Sequence, residues 1–492
     1  MADETEIGTK KVEAVAGLAP RGAEELRKDL IAASGVFLFS FALYLLPAVC
    51  HRPLSRTPEN SVAVVAREML RSDDYMAPQL ERGEHFNKPP LPYWLAAGAA
   101  RVLGHGGEPD SEVLTRATLL PPALLAALAL FMVVLYGSVV FGRPAGLMAG
   151  LMLGFSLLVC RFGQTNSTAM PLMFACAGLC CGGAWLVTAP RPGLVATIAL
   201  GSSLGLGILA GACIPVLLLA GPVLLEVLLR LRFNGRKVGL FLAALAVAAA
   251  IAGPWFVAAA PQDWAALLPW LLNATASGGE AQSGHWYFYF LWLAGALFPW
   301  TVLLVAAWPL SVGRCLSSER DVSGAGVLAH KQVRFLVLFF GLGFLVLFAL
   351  PERGEQYLLP LLPALALASG YVLSHFKAPG GVAEERLAWT QLALGLICGI
   401  AIILLPLWCP EASGLSGPLG GGLALFNQPL GWALSVPLGL AFFALFFYCA
   451  RQCVEAKLPA AAMAIAICTY LALGAWSWAA AKWTDQTPAL RN

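Results

Sequence analysis

Long apolar runs alternate with short polar loops along almost the whole chain. Runs of span length lie at 30–50, 117–141, 143–160, 168–188, 193–211, 212–229, 238–258, 286–311, 333–350, 357–376, 388–408, 429–450 and 458–481. About 20 apolar residues in a helix match the hydrocarbon thickness of a bilayer. The runs are continuous rather than alternating, which points to helices and away from a β-barrel. The pattern predicts an all-α polytopic membrane protein of about 13 transmembrane helices. The stretch 193–229 has two readings, because Gly211 and Pro215 either split two spans or kink one.

One polar stretch, 51–116, breaks the rhythm. Inside it, 62–70 has helical apolar spacing, and Pro89-Pro90 precede a second amphipathic segment at 91–103, with Trp94 at headgroup level. Both segments are too short to span and are expected to form two interfacial helices in an outer-face loop. The first apolar run starts only near Leu30, after a polar segment, so it reads as a retained anchor rather than a cleaved signal.

Composition sharpens this picture without changing it. The 492 residues are 59% hydrophobic and 12% charged, with a mean hydropathy of +0.74. Soluble domains carry about 25% charged residues. The net charge of +3 comes without a basic, aromatic-interleaved patch, so no nucleic-acid partner is expected. The 12 cysteines include no CxxC pair. Cys176, Cys180, Cys181, Cys213, Cys398, Cys449 and Cys468 fall in or at the ends of apolar runs and read as small hydrophobes.

Loop charge sets a topology. With a cytoplasmic N-terminus, the loops bearing Arg143, Arg191, Arg230 to Lys237, Arg314 to Arg334, Lys377 to Arg386, and Arg451 to Lys457 all fall inside. Arg161 is the exception. The stretches 51–116, 259–285, 351–356 and 409–428 then face outward, to a periplasm or lumen. Functional polar residues gather on that face, away from cytosolic nucleotides, and no phosphate-binding glycine loop is present. A lipid-linked donor delivered through the membrane suits such a site.

Each candidate residue has two readings. Glu59 is either a general base for an acceptor hydroxyl or a helix N-terminal charge. Asp73-Asp74 either hold a divalent metal or make a turn and cap. Lys88, on a backbone stiffened and extended by Pro89-Pro90, either meets a phosphate headgroup or snorkels. His285 opens an aromatic cluster and is either a ligand or part of an interfacial belt. Arg353 either binds phosphate or pairs with its neighbouring glutamates.

These residues carry a resemblance. The segment from Glu59 through Ala66-Arg67-Glu68-Met69-Leu70-Arg71-Ser72-Asp73-Asp74 and Pro78 to Phe86-Asn87-Lys88-Pro89-Pro90-Leu91-Pro92-Tyr93-Trp94-Leu95 resembles the first outer loop of the aminoarabinose transferase and protein O-mannosyltransferase family. Ala169-Met170-Pro171-Leu172, Pro254-Trp255-Phe256, Phe298-Pro299-Trp300 and Tyr357 to Pro363 follow in the family's order. The resemblance covers about 30–380, with 1–29 as a cytoplasmic segment and 381–492 as further transmembrane helices. It implies a C-type membrane glycosyltransferase in a bacterial inner membrane, active on the periplasmic face. Such an enzyme takes a polyprenyl-phosphate sugar donor and a lipid A-like or protein acceptor. Glu59 would be the base, and Lys88, Arg353, Tyr93 and His285 would bind substrate. A divalent metal would sit at Asp73 or Asp74 with His285.

The chain also departs from the family. Pro58 stands for an Asp, Asn87 and Ala169 for acids, and Ala210-Gly211-Ala212 for Thr-Lys-Gly. The family histidine maps to Gln282 or, with a shift, to His285. These departures support an alternative, a catalytically degenerate member serving as a lipid-binding or assembly subunit.

Overall fold

A computed structural model describes residues 23–49, 58–76, 89–104, 111–165, 169–189, 192–211, 214–230, 235–259, 287–297, 300–301, 324–349 and 354–374, with a few isolated positions beyond. Among the described residues 92% are helical and none is in a strand. In chain order the helices are α1 (Ala23–Val49), α2 (Pro58–Ser72), α3 (Leu91–Leu103), α4 (Ser111–Phe141), α5 (Arg143–Gly154), α6 (Leu157–Gly163) and α7 (Ala169–Thr188). Then come α8 (Leu194–Gly211), α9 (Ile214–Arg230), α10 (Gly235–Ala259), α11 (Phe288–Ala296) and α12 (Gly324–Ala349). A 3-10 helix (Glu355–Leu361) runs directly into α13 (Leu362–Ser374). Among the described residues, seven helices are long and apolar enough to cross a membrane, or eight if one bent pair is a span. The protein is an integral membrane protein. The expected spans at 388–408, 429–450 and 458–481, and much of 286–311, lie outside the described residues.

The span boundaries differ from the hydropathy pattern for physical reasons. The stretch 193–229 is two helices, α8 and α9. α4 starts at Ser111 and α12 at Gly324, both earlier than their apolar runs. α4 carries Ser111, Glu112 and Arg116, and α12 carries His330 and Lys331, ahead of their apolar runs, so hydropathy marks the membrane edge and not the helix end. The span at 357–376 opens as a 3-10 helix containing Pro360. Proline removes backbone donors and disfavours a regular α-helix.

The run 143–160 is not one straight span. α5 and α6 meet at a 63° bend. No proline causes it; Ser156 adopts an extended backbone (φ −66°, ψ 132°) between them. A broken helix at membrane depth needs new partners for its freed carbonyls. Tyr44 from α1 donates its hydroxyl to the Gly154 carbonyl at 2.6 Å, and the Cys160 thiol donates to the same oxygen at 3.2 Å. The Ser156 hydroxyl donates to the Met152 carbonyl.

The core centres on α7 and the 3-10/α13 segment, whereas α1 and α10 leave most of their surface to lipid. Small residues allow close approach. A Cβ on Gly146 would strike Ser138 and the Val134 carbonyl, so α5 rests directly on the α4 backbone. At one end of the bundle Arg143 donates to Asp29 at 2.9 Å and to Glu25 at 2.8 Å, and Lys237 donates to the Val187 carbonyl at 2.6 Å. That is the end where the basic loops were expected. The opposite end carries α2 and α3.

Candidate functional site

The polar stretch folds as a helical pair on the bundle's end. Val62, Val65, Ala66 and Met69 recur at helical spacing, and they pack on Tyr93, Ala96 and Ala97 of α3. Ala63 and Ala100 pack on Leu114 and Ala117 of α4. The two helices therefore bury their apolar faces in each other and in α4.

After α2 the chain turns tightly. Asp73 has φ 56°. The Asp74 amide donates to Ser72 Oγ at 3.3 Å, and the Met76 amide donates to Asp74 Oδ1 at 2.9 Å. Arg101 donates to the Tyr75 hydroxyl at 3.0 Å and lies 4.0 Å from Asp73 Oδ1. Trp94 Nε1 donates to the Tyr75 carbonyl at 2.6 Å, so its indole ties the turn to α3 as well as sitting near the headgroup level. Of the two readings of Asp73-Asp74, the turn matches this geometry. Among the described residues no three His, Cys, Asp or Glu side chains converge on a metal position. His285, the third residue of the expected metal set, lies outside the described residues.

Glu59 lies in the first turn of α2, just after Pro58 at the first helical position. Proline suits that position, and a carboxylate there is favoured by the helix dipole. Its side chain lies outside the described residues, as do Lys88, His285 and Arg353 entirely. Their chain neighbours are described. Pro89 and Pro90 are buried. Pro90 is helical (φ −84°, ψ −19°), and its carbonyl accepts from the Tyr93 and Trp94 amides at 3.0 and 2.9 Å. The backbone after Lys88 therefore turns into α3 at Pro90 instead of staying extended. The first turn of α3, through Leu91 and Trp94, rests on Leu209, Ala252 and Trp255 at the ends of α8 and α10. Tyr93 is 4% exposed inside the α2–α3 core, and this burial holds its phenol above the usual range.

α11, the 3-10 helix and α6 contact one another at the same end. His285 and Arg353 precede the first two. The aromatic run at α11 divides: Tyr289 is fully buried against Phe344 and Phe348, whereas Phe290 faces outward. Only part of it can serve as an interfacial belt. Glu355, a candidate partner for Arg353, is ion-paired with Arg161 of α6. Arg161 was visible in the sequence only as the basic residue on the wrong side of the membrane.

Two of the family departures are packed shut. Ala169 is buried at the start of α7. A Cβ on Gly211 would lie 2.8 Å from Leu172 Cδ2, one turn along α7 from Ala169. The position where the resemblance expects a lysine is thus occupied by an apolar contact.

No family model matches the chain. In sequence it is similar to the undecaprenyl phosphate-alpha-4-amino-4-deoxy-L-arabinose arabinosyl transferase 2 of Pseudomonas fluorescens, at 27% identity over 416 residues, 81% of this chain and 66% of that one. The corresponding transferase of Pectobacterium carotovorum is 28% identical over 390 residues, 76% of this chain and 65% of that one. The chain thus spans about two thirds of the length of these relatives. In structure it is similar to ArnT from Cupriavidus metallidurans bound to undecaprenyl phosphate, with a TM-score of 0.68 at 16% identity, covering 93% of this chain and 78% of that one. The chain has the fold of the aminoarabinose transferases. The apo form of the same ArnT gives a TM-score of 0.64 at 18% identity, over 92% of this chain. The resemblance read from the outer loop is borne out by these relatives, and the ArnT-like fold carries that loop on α2 and α3.

Proposed function

We propose that this chain is a membrane glycosyltransferase that moves a sugar from a polyprenyl-phosphate donor to a lipid A-like lipid or a protein. Its active face is the end bearing α2 and α3, assigned to the periplasm of a bacterial inner membrane with the N-terminus cytoplasmic. The basic residues at the opposite end support that orientation. The donor class is supported by the relatives' own donor and by the undecaprenyl phosphate bound to ArnT.

The observation that carries the reading is the seating of α3. Its first turn, entered through buried Pro89-Pro90, is fixed on the ends of α8 and α10. Lys88 is the residue joined to that anchor, and we assign it the donor phosphate, with Arg353 and His285 as further substrate contacts; Tyr93, expected among them, is buried in the α2–α3 core and holds that helix pair together instead. Glu59 is assigned as the base. It removes the proton from the acceptor hydroxyl as that oxygen bonds to the anomeric carbon. The bond to the polyprenyl phosphate breaks, and Lys88 neutralises the charge left on it. No step is assigned to a metal.

Purified Lys88→Ala, given an undecaprenyl-phosphate-linked sugar, is expected to lose transfer by roughly 10²–10³-fold with an unchanged melting temperature. Transfer at the wild-type rate would sink the assignment. The packed contacts at Ala169 and Gly211 favour a second reading, a subunit that binds the lipid without turnover. Wild-type protein that binds undecaprenyl phosphate yet transfers from no donor decides for it.

A further inference from the structure

Arg161 and Glu355 form a charged pair that takes no part in the proposed transfer chemistry. They come from different elements, α6 and the 3-10 helix, which meet at the end of the bundle bearing α2 and α3. Gln164, three residues beyond Arg161, donates to the Leu43 carbonyl at 3.3 Å, which fixes α6 to the end of α1 from which the outer loop departs. The two partners are unequally exposed: the Arg161 side chain is 56% accessible and that of Glu355 only 14%. One carboxylate oxygen takes the guanidinium. The other, Oε2, is buried and accepts no hydrogen bond among the described residues.

A structural staple alone explains this poorly. Exposed ion pairs contribute little to stability, and a pair built for stability satisfies its remaining acceptor sites. Leaving a charged acceptor buried and unmatched is costly, and such groups are rare outside functional sites. The exposed guanidinium retains N–H groups beyond those on Glu355, in the fork geometry that suits phosphate oxygens. The arrangement thus offers a phosphate-binding cation beside an acceptor awaiting a donor.

We propose that Arg161 and Glu355 form a recognition subsite for a phosphorylated sugar headgroup, with Arg161 on a phosphate oxygen and Glu355 Oε2 accepting from a neighbouring sugar hydroxyl or ammonium. This rests on the glycosyltransferase reading. It adds a specificity contact built from α6 and the 3-10 helix, apart from the outer-loop residues. Donor and acceptor lipids both present this chemistry, and the test separates them.

The experiment uses the full chain in nanodiscs as wild type, Arg161→Glu, Glu355→Arg and the double charge swap. Melting temperature is read beside binding of an undecaprenyl-phosphate-linked sugar and of lipid A. Both single variants are expected to melt earlier. The swap is expected to recover the melting temperature, because it rebuilds an ion pair. It should still bind one of the two lipids about ten- to a hundred-fold more weakly, the range of a charge-assisted hydrogen bond. Which lipid is affected identifies the occupant. Recovery of binding along with melting temperature would make the pair a staple and overturn the proposal. Unchanged binding in every variant overturns it too, leaving the function reading intact. A wild-type protein that binds neither lipid removes both.

Discussion

At the scale of single residues, Gly211 decides more than its size suggests. Its α carbon lies against Leu172, so hydrocarbon fills the position where the resemblance expects a lysine. Restoring the charge would not restore a site. Gly211→Ala meets only the mobile end of a leucine and is expected to cost about 1–2 kcal/mol. Gly211→Lys would bury an ammonium among apolar side chains and should cost several times more. Thermal unfolding in detergent checks this ordering, and a Gly211→Lys protein as stable as wild type would show the α7–α8 contact to be looser than described. Site legibility at this scale was mixed. The turn at Asp73-Asp74 was visible because aspartate turns have a local chemistry. The Arg161–Glu355 pair was not, because it joins residues far apart in sequence whose charges looked loop-bound.

At the scale of elements, periodicity carried most of the information. α3 lies at Leu91–Leu103, where the prolines and the amphipathic spacing placed it. The bend between α5 and α6 escaped, because a hydropathy run records polarity and not backbone continuity. Its only local sign was a glycine and a serine within an apolar run, and the hydroxyl that satisfies its freed carbonyl comes from another helix. Tyr44→Phe removes the hydroxyl that satisfies the Gly154 carbonyl. Loss of one buried hydrogen bond of this kind is expected to destabilise by about 1–3 kcal/mol. Faster hydrogen exchange confined to 152–160 would be its signature, and an unchanged exchange pattern would argue that Cys160 alone suffices there.

At the scale of the molecule, Arg143 and Lys237 share one end of the bundle while α2 and α3 lie at the other, as the alternation of loop charge expects. A missed helix would invert every later loop in that alternation. The topology has a direct check. A thiol placed at Met76, which is exposed beside α2, should react with an impermeant maleimide in intact cells above the background of native thiols. One at Gly235, on the opposite end with open space around it, should react only after permeabilisation. The reverse labelling pattern would turn the protein over and move the proposed active face to the cytoplasm.

The pairing of Asp29 with Arg143 bears on how the protein is made. Asp29 is fully buried at the edge of the first span, and its counter-charge comes 114 residues later, at the start of α5. A carboxylate in a membrane helix is costly while it stands alone. During synthesis α1 therefore carries that cost until the ribosome has delivered α4 and α5. Among the described helices α1 becomes fully stable only when α5 arrives, so α1 to α5 are expected to assemble as one cotranslational unit.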